Sequence, residues 1–227
     1  MQTIRDRLTA VRQRIDAAAL RADRDPGGIR LLAVSKTRPA ADLRLAHEAG
    51  QQAFGESYLQ EALRKQSELA DLPLEWHFIG GIQSNKTSAI AEHFQWVHGL
   101  CDLRHARRLS SQRPAGMGPL DCCIQVNVSG EATKNGVAPA ELASLAQAVS
   151  TLPGLRLRGL MALPAPTPDE RQQRRAFLRV RQLFDSLRKA GLTLDTLSMG
   201  MSADLEAAVA EGATIVRIGT AIFGPRD

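Results

Sequence analysis

Eight times along this chain a short apolar run gives way to a stretch with apolar residues at helical spacing. Runs of four to eight apolar residues bounded by turn residues read as buried strands, and repeats every three or four positions as helices. Strands are expected at Arg30 to Ser35, Ala53 to Gly55, Glu75 to Ile79, Trp96 to Gly99, Asp121 to Val128, Leu157 to Leu163, Thr196 to Met199 and Thr214 to Ile218. Helices are expected between them at Pro39 to Gly50, Tyr58 to Ala70, after Gln83-Ser84-Asn85 as a cap, Leu103 to Ser111, Pro139 to Leu152, Pro168 to Ala190 and Ala203 to Glu211, with a short turn ending at Arg226. One further helix leads, from Thr3 to Ala22. It repeats Ile4, Leu8, Val11, Ile15 and Leu20 and breaks at Asp25-Pro26-Gly27-Gly28.

Regular alternation of strand and helix implies a parallel sheet, because parallel neighbours need a crossover that a helix supplies. Eight units suggest closure. The expected fold class is α/β, a single (β/α)8 TIM-type barrel with an extra N-terminal helix. Residues 1–227 form one domain, of which 1–28 are the leading helix and turn. With 44% hydrophobic residues in 227, the chain can fill one such core. An open doubly wound sheet is the alternative, but no Gly-x-Gly-x-x-Gly follows the first strand.

The net charge is +5, and much of the excess lies in Arg104 to Arg108 and Arg171 to Arg181. Both runs fall on expected helices and read as solvated faces. With aromatics at only 4%, base-stacking surfaces are disfavoured and no nucleic-acid partner is expected. Cys101, Cys122 and Cys123 have no metal-type spacing, and the last two sit in an apolar run as small hydrophobes. No stretch reaches the ~20 apolar residues of a membrane span. The start, Met1 to Arg7, has no signal-peptide core. A reducing cytoplasmic location is expected.

In barrels of this kind the chemistry sits at the carboxyl ends of the strands. Lys36 ends the first strand within Val34-Ser35-Lys36. A lysine held at the tip of a buried strand can have a lowered pKa, and a neutral amine forms a Schiff base with an aldehyde. Ser198-Met199-Gly200-Met201-Ser202 ends the seventh strand, and Ser202 suits an N-cap. Arg217-Ile218-Gly219-Thr220 ends the eighth, where the N–H groups of Gly219 and Thr220 can hold a phosphate. Arg217 would point into the barrel mouth, facing a heterocyclic nitrogen or pairing with Glu56 or Asp204. His77 on the third strand reads alone as a hydrogen-bonded core residue. Asn127 can satisfy backbone groups at the rim, Lys134 can be solvated, and Met161 reads as core.

Taken together and in order, Val34-Ser35-Lys36, Gly55-Glu56, His77-Phe78-Ile79-Gly80, Gln83-Ser84-Asn85-Lys86, Gln125-Val126-Asn127, Ser198 to Ser202 and Val216 to Gly219 resemble the pyridoxal phosphate homeostasis protein family. The resemblance runs from the leading helix to Gly224. That family is similar to the barrel domain of alanine racemase and carries pyridoxal 5′-phosphate (PLP) on the strand-one lysine. The resemblance implies PLP as a Schiff base on Lys36, phosphate held by Ser202, Gly219 and Thr220, and Arg217 near the pyridine nitrogen. It implies further cofactor contacts from Asn127, His77, Met199 and Ser57. Ser57 departs from the family pattern, which has asparagine after Gly-Glu.

The resemblance further implies a PLP-binding role in intracellular vitamin B6 and amino-acid/keto-acid homeostasis, rather than an enzyme. PLP-dependent apoenzymes are expected acceptors, and the chain is expected to be a monomer. The alternative is a PLP-dependent amino-acid racemase of low activity. Racemases resembling this barrel add a β domain and a tyrosine base, and two-sided proton transfer needs an acid/base group on each face. The single tyrosine here, Tyr58, follows the second strand, and the chain is expected to lack that further domain.

Overall fold

In a computed structural model, which describes residues 2–130 and 135–225, the alternation closes into a barrel. The elements are α1 (Ile4–Arg21), β1 (Arg30–Val34), α2 (Ala40–Glu48), β2 (Ala53–Glu56), α3 (Leu59–Glu68), β3 (Glu75–Phe78), α4 (Thr87–His93), β4 (Trp96–Leu100), α5 (Leu103–Gln112), β5 (Leu120–Gln125), α6 (Pro139–Ser150), β6 (Leu155–Met161), α7 (Glu170–Lys189), β7 (Thr196–Ser198), α8 (Leu205–Ala210), β8 (Ile215–Ile218) and α9 (Thr220–Phe223). All neighbouring strands are parallel. The barrel closes where β8 pairs with β1, setting Leu32 opposite Arg217 and Ala33 opposite Ile218.

Side chains alternate across each strand, so each strand divides between the barrel interior and the layer beneath the helices. Leu32, Ala53, Trp96, Cys123, Met161 and Ile215 pack together inside. Leu31, Ala33, Phe54, Phe78, Cys122 and Met199 face the larger core under the helices. The Cys122 and Cys123 thiols are pushed up by burial, which makes them inert, as small core hydrophobes should be.

The leading helix starts on a capping box. The Asp6 N–H donates to Thr3 Oγ1 at 3.1 Å, and the Thr3 N–H to Asp6 Oδ2 at 2.9 Å. It buries Leu8, Val11, Ile15, Ala18 and Ala19 against α2, α8 and α9, so it covers the side of the barrel where the chain closes. Across that contact Arg14 donates both to Glu206, at 2.6 Å, and to the Ser202 carbonyl at 2.8 Å.

Some expected ends differ. The fifth strand stops at Gln125: the Val126 N–H still donates to the Met161 carbonyl at 2.9 Å, but beyond it the chain bonds to Val137 instead. Gln83 gives no side-chain cap; a 3-10 turn, Ser84–Lys86, leads into α4 instead. Ser202 is not the N-cap of α8. Asp204 stands there, and its Oδ1 accepts from the Met201 N–H at 2.6 Å. Lys134 and Arg226 lie outside the described residues.

Candidate functional site

A cavity of about 290 Å³ opens at the carboxyl ends of the strands, near the lower end of the size range of ligand pockets. Its charged lining residues are Lys36, Arg38 and Arg217, with no carboxylate among the described residues lining it. Ser57, Ser202, Gly219 and Thr220 supply polar groups, and Ile79, Met161, Leu163 and Met201 supply apolar wall. Such a lining suits a small anion with an apolar body.

Each donor has a local cause. Gly219 follows β8 as the N-cap of α9, and Thr220 opens that helix, whose first amides have no intrahelical acceptor. Ser202 follows a loop that needs glycine at 200. There φ is +95°, and a Cβ would stand 2.5 Å from Ala208 Cβ. Lys36 stands two residues past the end of β1, between a buried Ser35 and Thr37, whose φ of +66° is rare for a β-branched residue.

Arg217 is 4% exposed. Its Nη1 donates to the Ser198 carbonyl at 2.5 Å and Ser198 Oγ at 2.8 Å, and its Nη2 to the Ala162 carbonyl at 2.9 Å. It pairs with neither Glu56 nor Asp204. Glu56 is bonded to Ser35 and Lys65 instead, and Asp204 acts on Arg217 only through its field. Burial lowers the guanidinium to about 10, so it remains a cation at neutral pH. Three of the five N–H groups are taken, which leaves two for a ligand.

Below Arg217 a hydrogen-bonded row descends through the barrel. Arginine only donates, so the Ser198 hydroxyl accepts from it and gives its own proton to His98 Nδ1 at 2.8 Å. His98 Nε2 lies 2.9 Å from His77 Nδ1, and His77 Nε2 2.9 Å from Glu75 Oε1. Burial would raise the Glu75 carboxyl, but bonds from His77 and then Arg30 outweigh it and hold it at about 2. An ionised carboxylate requires the His77 proton on Nε2. His77 Nδ1 then accepts from His98 Nε2–H, and every donor in the row has an acceptor. Burial lowers His77, and lowers His98 well below 6.5, so both rings are neutral at pH 7.

Lys36, Ser57, Ser202, Arg217, Gly219 and Thr220 are therefore brought to one cavity. Three expected contacts are not. His77 lies a layer deeper, stacked on Trp96 with centroids 5.4 Å apart. Met199 faces outward, since its neighbour Ser198 takes the inward position. Asn127 shapes its own loop, its Oδ1 accepting from the Gly130 N–H at 3.0 Å. Sequence reasoning missed Arg38 as a lining residue and His98 as the link to Ser198.

A (β/α)8 barrel with a lysine just past its first strand and an arginine on its last is the alanine racemase type, and the family described as "Alanine racemase, N-terminal domain" matches residues 7–227. Within that class the chain belongs to the pyridoxal phosphate homeostasis protein family. The homeostasis protein of Pseudomonas aeruginosa is 63% identical over all of this chain and 97% of that protein. The Escherichia coli one is 51% identical over all of this chain and 98% of that protein. PipY of Synechococcus elongatus, solved without and with PLP, is 38% identical, covers 98% of this chain and 100% of its own, and has TM-scores of 0.86 and 0.85. Among the described residues no helix is long and apolar enough to cross a membrane.

Proposed function

We propose that this chain binds PLP in the cavity at the strand ends, attached as a Schiff base to Lys36, and contributes to PLP and amino-acid/keto-acid homeostasis in the cytoplasm. The observation that carries the reading is the cationic cavity set between Lys36 after β1 and Arg217 on the paired strand β8. Ser202 and the amides of Gly219 and Thr220 bind the phosphate. Ser57 and the apolar residues flank the ring. The remaining N–H groups of Arg217 face the ring nitrogen.

PLP supplies an aldehyde and an electron-accepting ring. Arg217 donates and does not give up its proton, so a nitrogen facing it stays unprotonated, which weakens the ring as an electron sink. Tyr58, the one tyrosine, is 56% exposed beside Ser57 rather than held within the cavity. These features favour a carrier over an efficient catalyst, in line with the homeostasis role named for the relatives. The chain acts as a monomer that passes the cofactor to PLP-dependent apoenzymes.

The test is visible absorption of the purified protein with PLP, before and after borohydride reduction, followed by peptide mass mapping. The expected result is one pyridoxyl adduct, on Lys36. Adduct only on Lys86 or Lys134 would refute the assignment.

A further inference from the structure

The cavity leaves unused the most deeply buried lysine among the described residues. Lys65, on α3, has a side chain only 1% exposed, in the layer between that helix and the ends of β1 and β2. Its Nζ lies 2.7 Å from Glu56 Oε1 and 2.5 Å from Glu61 Oε1, and it donates to the Ser35 carbonyl at 2.7 Å. Burying such a cluster is expensive, and well-packed apolar side chains in its place are often neutral or stabilising. Helix stability alone does not account for it.

Its bonds converge on the two neighbours of Lys36. The Ser35 hydroxyl donates to Glu56 Oε1 at 2.7 Å, while the Ser35 carbonyl accepts from Lys65. On the other side, the Thr37 N–H donates to Glu61 Oε1 at 2.6 Å. Thr37 is the residue at φ +66°. Such a conformation is costly for a β-branched residue and persists only where its surroundings over-determine it. The residue between the two anchors, Lys36, lines the cavity.

We propose that Lys65, Glu56 and Glu61 are positioning residues for Lys36, a buried ionic clamp that holds the strained Ser35–Lys36–Thr37 turn and aims the Lys36 amine into the cavity. The consequence for cofactor attachment rests on the function proposed above; the clamp itself does not.

The decisive variant is Glu61→Ala, since the Glu61 side chain is 19% exposed and at the edge of the cluster. In the protein without PLP, a crystal structure should show Thr37 outside the left-handed region. With PLP, the dissociation constant should rise about tenfold, the scale of one lost hydrogen bond to a charged group. Glu61→Gln still offers an amide oxygen to the Thr37 N–H and should restore both properties. Lys65→Met combined with Glu56→Gln removes the two buried charges and the bond to the Ser35 carbonyl while leaving Glu61 on the Thr37 N–H, and should raise the dissociation constant as Glu61→Ala does. Either an unchanged Thr37 conformation or wild-type affinity in Glu61→Ala would overturn the clamp. If the wild-type protein never carries PLP on Lys36, the functional reading falls, and the Thr37 conformation alone still decides the clamp.

Discussion

Ser202 lines the cavity through a loop that Gly200 permits and Arg14 ties down from α1. Ser202→Ala should weaken PLP binding by about 1–2 kcal/mol, the scale of a hydrogen bond to a charged group. Pyridoxal, which lacks the phosphate, should bind much more weakly than PLP. Equal titration curves for the two would show that these loops do not hold phosphate. Lys36→Ala should remove the visible band and leave the far-ultraviolet circular dichroism unchanged. At this scale the sequence was readable where chemistry and strand end coincide, as in Val34-Ser35-Lys36. It was not readable where a partner is chosen by closure. Ser198 meets His98 from 100 residues away, and nothing local to either marks the bond. Alternation likewise decided that Ser198 would face inward and Met199 outward, and a one-residue uncertainty in register inverts that assignment.

Helices and strands were legible because each carries its own period, whereas their ends depend on tertiary bonds. The fifth strand read on to Val128 because Val126 and Val128 continue an apolar alternation past Gln125, yet the ladder ends once Val126 pairs with Val137. The leading helix was legible as a helix, and its docking on the closing edge was not. That docking gives it a role through Arg14, which bridges Glu206 and the Ser202 carbonyl. The ion pair is roughly one-third exposed on both sides, so Arg14→Ala should cost under about 1 kcal/mol of stability. PLP affinity should nevertheless drop several-fold, because the loop carrying Ser202 loses its brace. Urea unfolding and a PLP titration on the same variant separate the two effects, and an unchanged affinity would show that α1 does not act on the site.

Across the whole molecule, the buried row from Arg217 to Glu75 makes stability depend on pH. His77 and His98 have folded pKa values depressed by burial, so the unfolded chain binds their protons more readily. Their contribution is fully present above about pH 6.5 and declines as pH falls below it. Glu75, held at about 2, adds a second decline from about pH 4.5 downward. Urea midpoints measured from pH 8 to pH 4 should therefore fall steadily below 6.5; a flat profile would mean that the rings are charged or exposed in the fold. On catalysis, acid/base groups contribute roughly 10²–10⁴-fold each, and the cavity holds no tyrosine opposite Lys36. α-Proton exchange in deuterated water, followed by NMR over L- and D-amino acids, should be at most feeble. Fast exchange lost in Lys36→Ala would favour the racemase. The pairing of β8 with β1 has a consequence in time as well as in space. Lys36 and Arg217 enter from opposite ends of the sequence, so a ribosome must deliver the last strand before the first can take part in a site. On the proposed function, unfinished or clipped chains should fail to take up the aldehyde, and cofactor capture would certify that the ring of strands is complete. A ligand present at a hundred times its dissociation constant adds about 2.7 kcal/mol to the closed form, and thermal melting with and without PLP would read that seal directly.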